Sequence, residues 1–547
     1  MSGTELGEIN LSELDDLAPS DQRTAVCAYG PSVYGSPQPS LPMDVLVVCE
    51  DYHNGLRTHR KILNGAEVRL LVAERQLVES DVKNGTLGDF LTETFLYPHR
   101  PIANQPYIEQ LEVEAKGRIV KEEAKDLVLE YGEMSRGIVA APEFFGLSRL
   151  RKRARVFLPS MDGYLRLLEP SVRGRNVSVL HESFKKAIST AQSDAVQLDG
   201  ENVTIRDSAI DKWLAQRVAG KVVNVLQQSQ RAFYSYLTKG RTTYLDIDLL
   251  ARELYRPLRL GMGELLQGTE PEDPKNYLYL RTAEGLVSLN ERASLWETVA
   301  KLRPGRPVTM APLAGVLNEV YLVAVGSERL VAKRFTDWHG FKWFTLNLVS
   351  LGSKLFAVSG KARMTNEYGI NRYLAAKGLK VPDVIHVGVK DRLLLRTYVS
   401  GTSLAEFAVQ TTSRSSLTKE QYRIAERLGE TLAAIHKVGV SVGDSKPENF
   451  VSVGDEIYVI DLEQAGRRGD YAWDVAELLF YTGHYSVTPA PSRGLAEVVH
   501  AFIRGYLRNG TAAELKRAAG LRYAKVFSLW TPAGIIMEIS NQLRAAR

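Results

Sequence analysis

The sequence predicts a multidomain chain of α/β and α+β architecture, and three observations carry that expectation. Its 547 residues exceed what one hydrophobic core usually serves, which favours about three domains. Near the front, strand-like runs at Val45–Val48 and Val68–Val72 alternate with turn clusters, and charged, Leu- and Ala-rich helical stretches follow. From about residue 306 the pattern runs strands, helix, strands, helices, the order of a two-lobed α+β fold.

The expected domains are 1–160, an α/β domain with a helical extension; 161–305, mainly helical; and 306–547. In the first, "QLEVEAKGRIVKEEAKDLVLEYGEMSRGI" reads as helix. In the second, "LDGENVTIRDSAIDKW" reads as a hairpin turning at Gly200 and then a long amphipathic helix. "KLRPGRPVTMAPLAG" is rich in proline and glycine and reads as the last linker.

Apolar residues at 44% and charged residues at 24% are ordinary for a globular protein and argue against extended disorder. A net charge of +5 permits a polyanionic partner without demanding one. Cys27 and Cys49 form no C-x-x-C pair, so neither a zinc site nor a disulfide framework is expected. The acidic start "MSGTELGEINLSELDDLAPSD" lacks an apolar segment, and no run is long enough to cross a bilayer. A cytoplasmic protein with no membrane association and no stable protein partner is the expectation.

The third block carries the chemistry. Phosphoryl transfer needs a cation on the phosphates, oxygen ligands for magnesium, and a carboxylate that orients the attacking hydroxyl and takes its proton. In "GDSKPENFVSVGDEIYVIDLEQ", Lys446 and Asn449 stand two and five residues after Asp444, and Asp461 sits at a strand end. Upstream, "ERLVAKRF" puts Lys333 on an apolar strand, and "KARMTNEYGINRYLAAKG" puts Glu367 on a helix able to pair with it. "PLAGVLNEVYLV" takes the place of a phosphate-covering loop with Gly315 as its glycine, and Asp474 could tie the catalytic loop down from the next helix. Each piece alone is common: D-x-K-x-x-N is often a surface turn, and strand lysines and helix glutamates are often solvated. The ordered set points to a kinase fold.

This block resembles the RIO-type atypical kinases and the small kinase of the KEOPS tRNA-modification complex, through Gly443–Asp444, Asn449 and Ile460–Asp461. The resemblance implies ATP and Mg²⁺ as cofactors and Asp444 as catalytic base, with Lys446 near the γ-phosphate. It further implies Asn449 and Asp461 as metal ligands, and Lys333 on the phosphates with Glu367 as its partner. Ser441 stands where those families often carry His, and Ser445 replaces a Leu. Asp474 stands only thirteen positions after Asp461 and no A-P-E follows, so an activation loop and peptide platform are not expected.

At the front, "AYGPSVYGSPQPSLPMDVLVVCED" has the outline of a nucleotidyltransferase-like start: glycine loop, short helix, acid-bearing strand. Two-metal chemistry needs paired carboxylates. Asp44 supplies one, whereas Pro42 fills the partner position and Arg69 the expected third. The segment reads as a degenerate nucleotidyltransferase-like domain, or as an ordinary α/β domain in which Asp44 is a turn residue. "RLRKRARVF" gathers Arg149, Arg151, Lys152, Arg153 and Arg155. As a strand it would align its arginines on one face, and as a helix it would spread them. It is a candidate RNA phosphate stripe or a solvated, domain-bridging segment. Arg173, Arg175, Lys239 and Arg241 are weaker basic spots, and His53 and His59 read as surface residues. The full arrangement resembles the archaeal tRNA kinases that phosphorylate the ribose 2′-hydroxyl of a uridine in the variable loop, which implies tRNA as substrate. The alternatives are a RIO-like Ser/Thr protein kinase acting on a ribosome or tRNA-modification factor, and an RNA-binding pseudo-kinase scaffold.

Overall fold

A computed structural model describes residues 11–36, 41–52, 55–63, 66–155, 158–219, 272–313, 318–337, 359–487 and 490–547. The chain divides into two compact units, residues 1–130 with 139–279 and residues 131–138 with 280–547. Of the expected middle domain, 161–219 and 272–279 belong to the first unit and 280–305 to the second, while residues 220–271 lie outside the described residues. Lys239 and Arg241 fall in that stretch, and His53 and Gly315 in shorter ones. Among the described residues no helix is long and apolar enough to cross a membrane.

The first unit is built on a five-stranded sheet in the order Leu56–Leu63, Ala66–Glu74, Met43–Cys49, Arg23–Tyr29, Arg100–Ala103. Met43–Cys49 runs parallel to Ala66–Glu74 and is buried along its whole length, as a central strand should be. Because side chains alternate across a strand, Val45 and Val47 join Leu14, Val26 and Val68 on one face. Leu46 and Val48 join Cys27, Leu71 and Phe95 on the other, covered by Ile108 and Leu111 of the helix Gln105–Tyr131. The two cysteines are therefore core side chains, and burial pushes the Cys27 thiol up to about 12 and the Cys49 thiol to about 11. The hairpin expected at Gly200 is present, pairing Val196–Asp199 with Asn202–Ile205, and Gly200 turns at φ 63°.

The second unit has two layers of different character. Its sheet runs in the order Val308–Leu313, Glu319–Val325, Glu328–Arg334, Leu393–Thr397, Val384–Gly388, all neighbours antiparallel. The segment read as a linker is thus a strand from Val308 onward. Pro312 is accommodated because that strand lies at the sheet edge, where a missing N–H costs no ladder bond. The helix Gly360–Ala376 comes in the chain between the strands Glu328–Arg334 and Val384–Gly388, and the described residues after Leu393–Thr397 are mainly helical with a few short strands.

The helices Lys419–Lys437 and Arg493–Tyr506 pack closely against each other. Both carry glycine at the crossing: a Cβ on Gly505 would fall 1.8 Å from the backbone oxygen of Glu426, and one on Gly429 2.1 Å from that of Phe502. Leu428, Leu432, Ile435 and Phe502 fill the surrounding core. Gly505→Ala should therefore force the helices apart and lower unfolding free energy by about 1–3 kcal/mol or more, read as a lower denaturant midpoint.

Candidate active site

The strand Glu328–Arg334 buries its middle four residues, and Lys333 ends that buried run, 2% exposed. A buried ammonium needs compensation, and three carboxylates supply it. Nζ lies 2.7 Å from Glu367 Oε2, 3.0 Å from Asp461 Oδ2 and 3.0 Å from Glu463 Oε2. Burial alone would push the lysine down, but Asp461, Glu367 and Glu463 hold it above its ordinary value. Burial raises Glu367, assisted by the Asp461 charge and opposed by Lys333. Asp461 is held low: burial opposes ionisation, and Lys333 and Arg396 overcome it.

Two further guanidinium groups complete the cluster. Arg396, on the adjoining strand, bonds Glu367 Oε1 at 3.0 Å and the backbone oxygen of Ile460, beside Asp461. Arg363, fully buried, donates to Glu463 at 3.2 Å and to Asn318 Oδ1 at 2.7 Å, and Asn318 Nδ2 donates to Glu463 Oε2 at 2.7 Å. Asn318 is the first described residue after the 314–317 stretch that holds Gly315. Glu463 thereby braces the root of the expected phosphate loop, the helix of Glu367 and the Asp461 turn together. Sequence reasoning passed over Asn318, Arg363, Arg396 and Glu463. One signal was readable, since Arg363 and Glu367 stand at i and i+4 on one helix face.

The loop Gly443–Asn449 is pinned from below by Asp474. Its Oδ1 accepts from Gly443 N at 2.8 Å and Ser441 Oγ at 3.1 Å; its Oδ2 accepts from Val442 N at 2.8 Å and faces His436 Nε2 at 3.0 Å. Glu477, one turn on, accepts from Ser445 N at 2.7 Å and from Trp473 Nε1 at 3.1 Å. Ser445 Oγ donates to Asp474 O at 2.8 Å. The two serines that depart from the resembled families thus both hydrogen-bond within this brace. His436 reaches Asp474 from the preceding helix, with its other ring nitrogen 2.7 Å from Tyr506 Oη.

Within the loop, Lys446 Nζ lies 3.0 Å from Asp444 Oδ1, and that carboxylate holds it above its ordinary value against burial. Asn449 Nδ2 donates to Asp444 O at 2.8 Å, so Oδ1 is the end left for a cation. The hairpin of Phe450–Val453 with Glu456–Val459 pairs Phe450 with Val459, and Ile460 N donates to Asn449 O at 2.9 Å. Asn449 and Asp461 consequently emerge from the same end of one hairpin. A carboxylate and an amide oxygen are the hard donors that magnesium prefers, so these residues fit the ion. Glu367, Asp461 and Glu463 also place carboxylate oxygens within 4.8 Å of one another, with Lys333 bonded to all three.

In the first unit, Asp44 and Arg69 face each other in register on parallel strands, with Arg69 Nη2 2.6 Å from Asp44 Oδ1 and 2.8 Å from Oδ2. Asp44 is a buried strand residue, not part of a turn. Gly30 has φ 83°, and a Cβ there would lie 2.5 Å from Asp44 Oδ2. The basic run is helical, Glu143–Ala154, and most of its charge meets carboxylates of its own unit. Arg149 meets Glu122 and, at 3.3 Å, Glu123; Arg151 meets Asp273 at 2.6 Å; Lys152 meets Glu123 at 2.7 Å; Arg153 meets Glu93 at 2.6 Å. Arg155, just past the helix, is exposed. Arg173 pairs with Glu272 at 2.7 Å, and Arg175 donates to Tyr34 O at 2.9 Å. His59 lies on the edge strand Leu56–Leu63, partly buried.

A buried lysine–glutamate pair, a pinned acidic loop and an Asn/Asp hairpin end define a phosphotransferase, an enzyme that moves a phosphoryl group to an alcohol. Residues 309–442 match the phosphotransferase enzyme family model, a match that ends just before Gly443. The matched residues lie in the second unit. Solved structures similar to the chain include WaaP in complex with acyl carrier protein, with 15% identity and TM-score 0.28 over 46% of this chain and 99% of that one. A Ralstonia eutropha protein described as an aminoglycoside phosphotransferase gives 11% and 0.28 over 46% and 98%. A microcompartment-associated aminopropanol kinase gives 14% and 0.25 over 45% and 92%. No characterised protein matches the chain significantly in sequence.

Asp444→Asn should lower kcat by at least about a hundredfold, the range expected for losing a positioned general base, with the fold intact by circular dichroism. Asp474→Ala should strand the donors of Ser441, Val442 and Gly443 in the interior. It should cost about 3 kcal/mol or more in stability as well as activity, read together by thermal unfolding and turnover.

Proposed function

We propose that the chain is an ATP- and Mg²⁺-dependent RNA kinase that phosphorylates an internal ribose 2′-hydroxyl of tRNA. The observation that carries this reading is the short path from Asp461 to Asp474. Within it, Gly466–Arg467 pairs with Val440–Ser441, and Arg467 stacks its guanidinium 4.2 Å from the Tyr373 ring centroid. That path is tied to the domain and leaves no length for a peptide-docking segment, so a large acceptor must be held by other parts of the chain. In the transfer, the ribose oxygen forms a bond to the γ-phosphorus as the bond to the β-phosphate oxygen breaks. Asp444 takes the hydroxyl proton, and ADP leaves. Lys333 would hold the α and β phosphates, and Asn449 and Asp461 would hold the metal.

The resemblance of the sequence to the archaeal tRNA kinases supports the choice of acceptor. So does the first unit, read as a degenerate nucleotidyltransferase-like domain. There Arg69 puts a fixed cation on Asp44, in place of the metal that paired carboxylates would bind. Such a domain is suited to holding folded RNA by shape and phosphates, and Arg155 offers it one exposed cation.

Transfer of label from γ-labelled ATP into total archaeal tRNA, beside a protein extract, tests the reading. The expected outcome is protease-resistant, internal label in tRNA that vanishes in Asp461→Ala. Label confined to protein would replace it with the protein-kinase alternative, and ATP binding without transfer with the scaffold.

A further inference from the structure

The last turn of the helix Tyr471–His484 lies against the catalytic loop and carries aromatic side chains that the transfer step does not use. Lys446, two residues from Asp444 and in contact with it, stands 5.6 Å from the Tyr481 ring centroid. Tyr481 in turn stacks on Trp530, with centroids 6.3 Å apart and planes within 24°. Phe527, buried, meets Tyr481 edge-on at 5.8 Å, and His484 Nδ1 bonds the Trp530 backbone oxygen at 2.8 Å, so the assembly is fixed from behind. Tyr485 ties the same helix end to the loop through Glu448. Trp530 nevertheless leaves 40% of its surface in solvent, beside Leu529 at 66%. A stacked aromatic pair whose outer member is open to solvent, starting at a cation that touches Asp444, is more than core packing requires.

We infer that Trp530 and Tyr481 form the acceptor shelf of the kinase, on which an unstacked base of single-stranded RNA lies while Lys446 meets its phosphodiester. The inference rests on the RNA reading above and adds the place where that RNA is gripped. Its chemistry is that of single-strand binders, in which flat side chains take successive bases and cations track the backbone. A stretch of tRNA already looped out would fit, because its base needs no unpairing before it stacks.

The test compares the full chain with Trp530→Ala and Trp530→Phe, using total tRNA as acceptor and saturating Mg·ATP. Stacking predicts that Trp530→Ala raises KM for tRNA by roughly tenfold, with kcat changed much less, and that Trp530→Phe recovers most of the loss. An unchanged KM in Trp530→Ala, or an equal loss in Trp530→Phe, would overturn the shelf while wild-type labelling of tRNA left the RNA reading standing. If the wild-type chain labels protein and no tRNA, both fall together.

Discussion

The strand of Lys333, the helix of Glu367 and the turn of Asp461 are arranged around one buried ammonium. Lys333 cannot leave water alone, and the three carboxylates that receive it cannot be buried alone either. Arg363 and Arg396 bring the count of cations in this cluster to three, matching Glu367, Asp461 and Glu463. Lys333, Arg363, Glu367, Arg396 and Glu463 are buried and Asp461 partly so, and removing one of the five buried members strands a charge rather than merely deleting a contact. That constraint fixes the strand of Lys333, the helix of Glu367 and the turn after Ile460 with respect to one another. It also holds the Asp461 carboxyl below the usual carboxylate range.

The catalytic loop depends on a second constraint of the same kind. Asp474 gathers two backbone amides, a serine hydroxyl and an imidazole onto one fully buried carboxylate. A loop held by backbone amides keeps its shape whatever its exposed side chains do. The side chains of Asp444, Lys446 and Asn449 take no part in the Asp474 bonds and contact one another instead. The two hubs belong to different elements and meet through the hairpin that joins Asn449 to Asp461. Under the proposed function that junction matters, because the base and the metal would act on one phosphoryl group.

The parts of this site that the sequence revealed were those with a fixed spacing: the D-x-K-x-x-N run, the strand lysine, the helix glutamate and Asp474. Their chemistry is local enough to survive in one dimension. Arg396, Asn318 and His436 were hidden because they act across the fold, through strand pairing or helix packing that no spacing encodes. The strand Val308–Leu313 was misread because proline at a sheet edge looks the same in sequence as proline in a linker. The basic helix Glu143–Ala154 looked like an anion-binding stripe because its acidic partners, Glu93, Glu122, Glu123 and Asp273, are scattered over 180 residues. Asp44 and Arg69 were legible individually; their pairing needed the parallel register that sets them side by side.

The central claim is that the Lys333 cluster and the Asn449–Asp461 hairpin end together form a metal–nucleotide site. Isothermal titration of ATP into the full chain, with Mg²⁺ and with chelator, tests it without any knowledge of the acceptor. The account predicts that Mg²⁺ tightens ATP binding to the wild-type chain by about tenfold or more, about 1.4 kcal/mol. In Asp461→Asn that difference should collapse while ATP alone still binds. Equal affinity with and without the metal in the wild-type chain, or a metal effect that survives in Asp461→Asn, would contradict it.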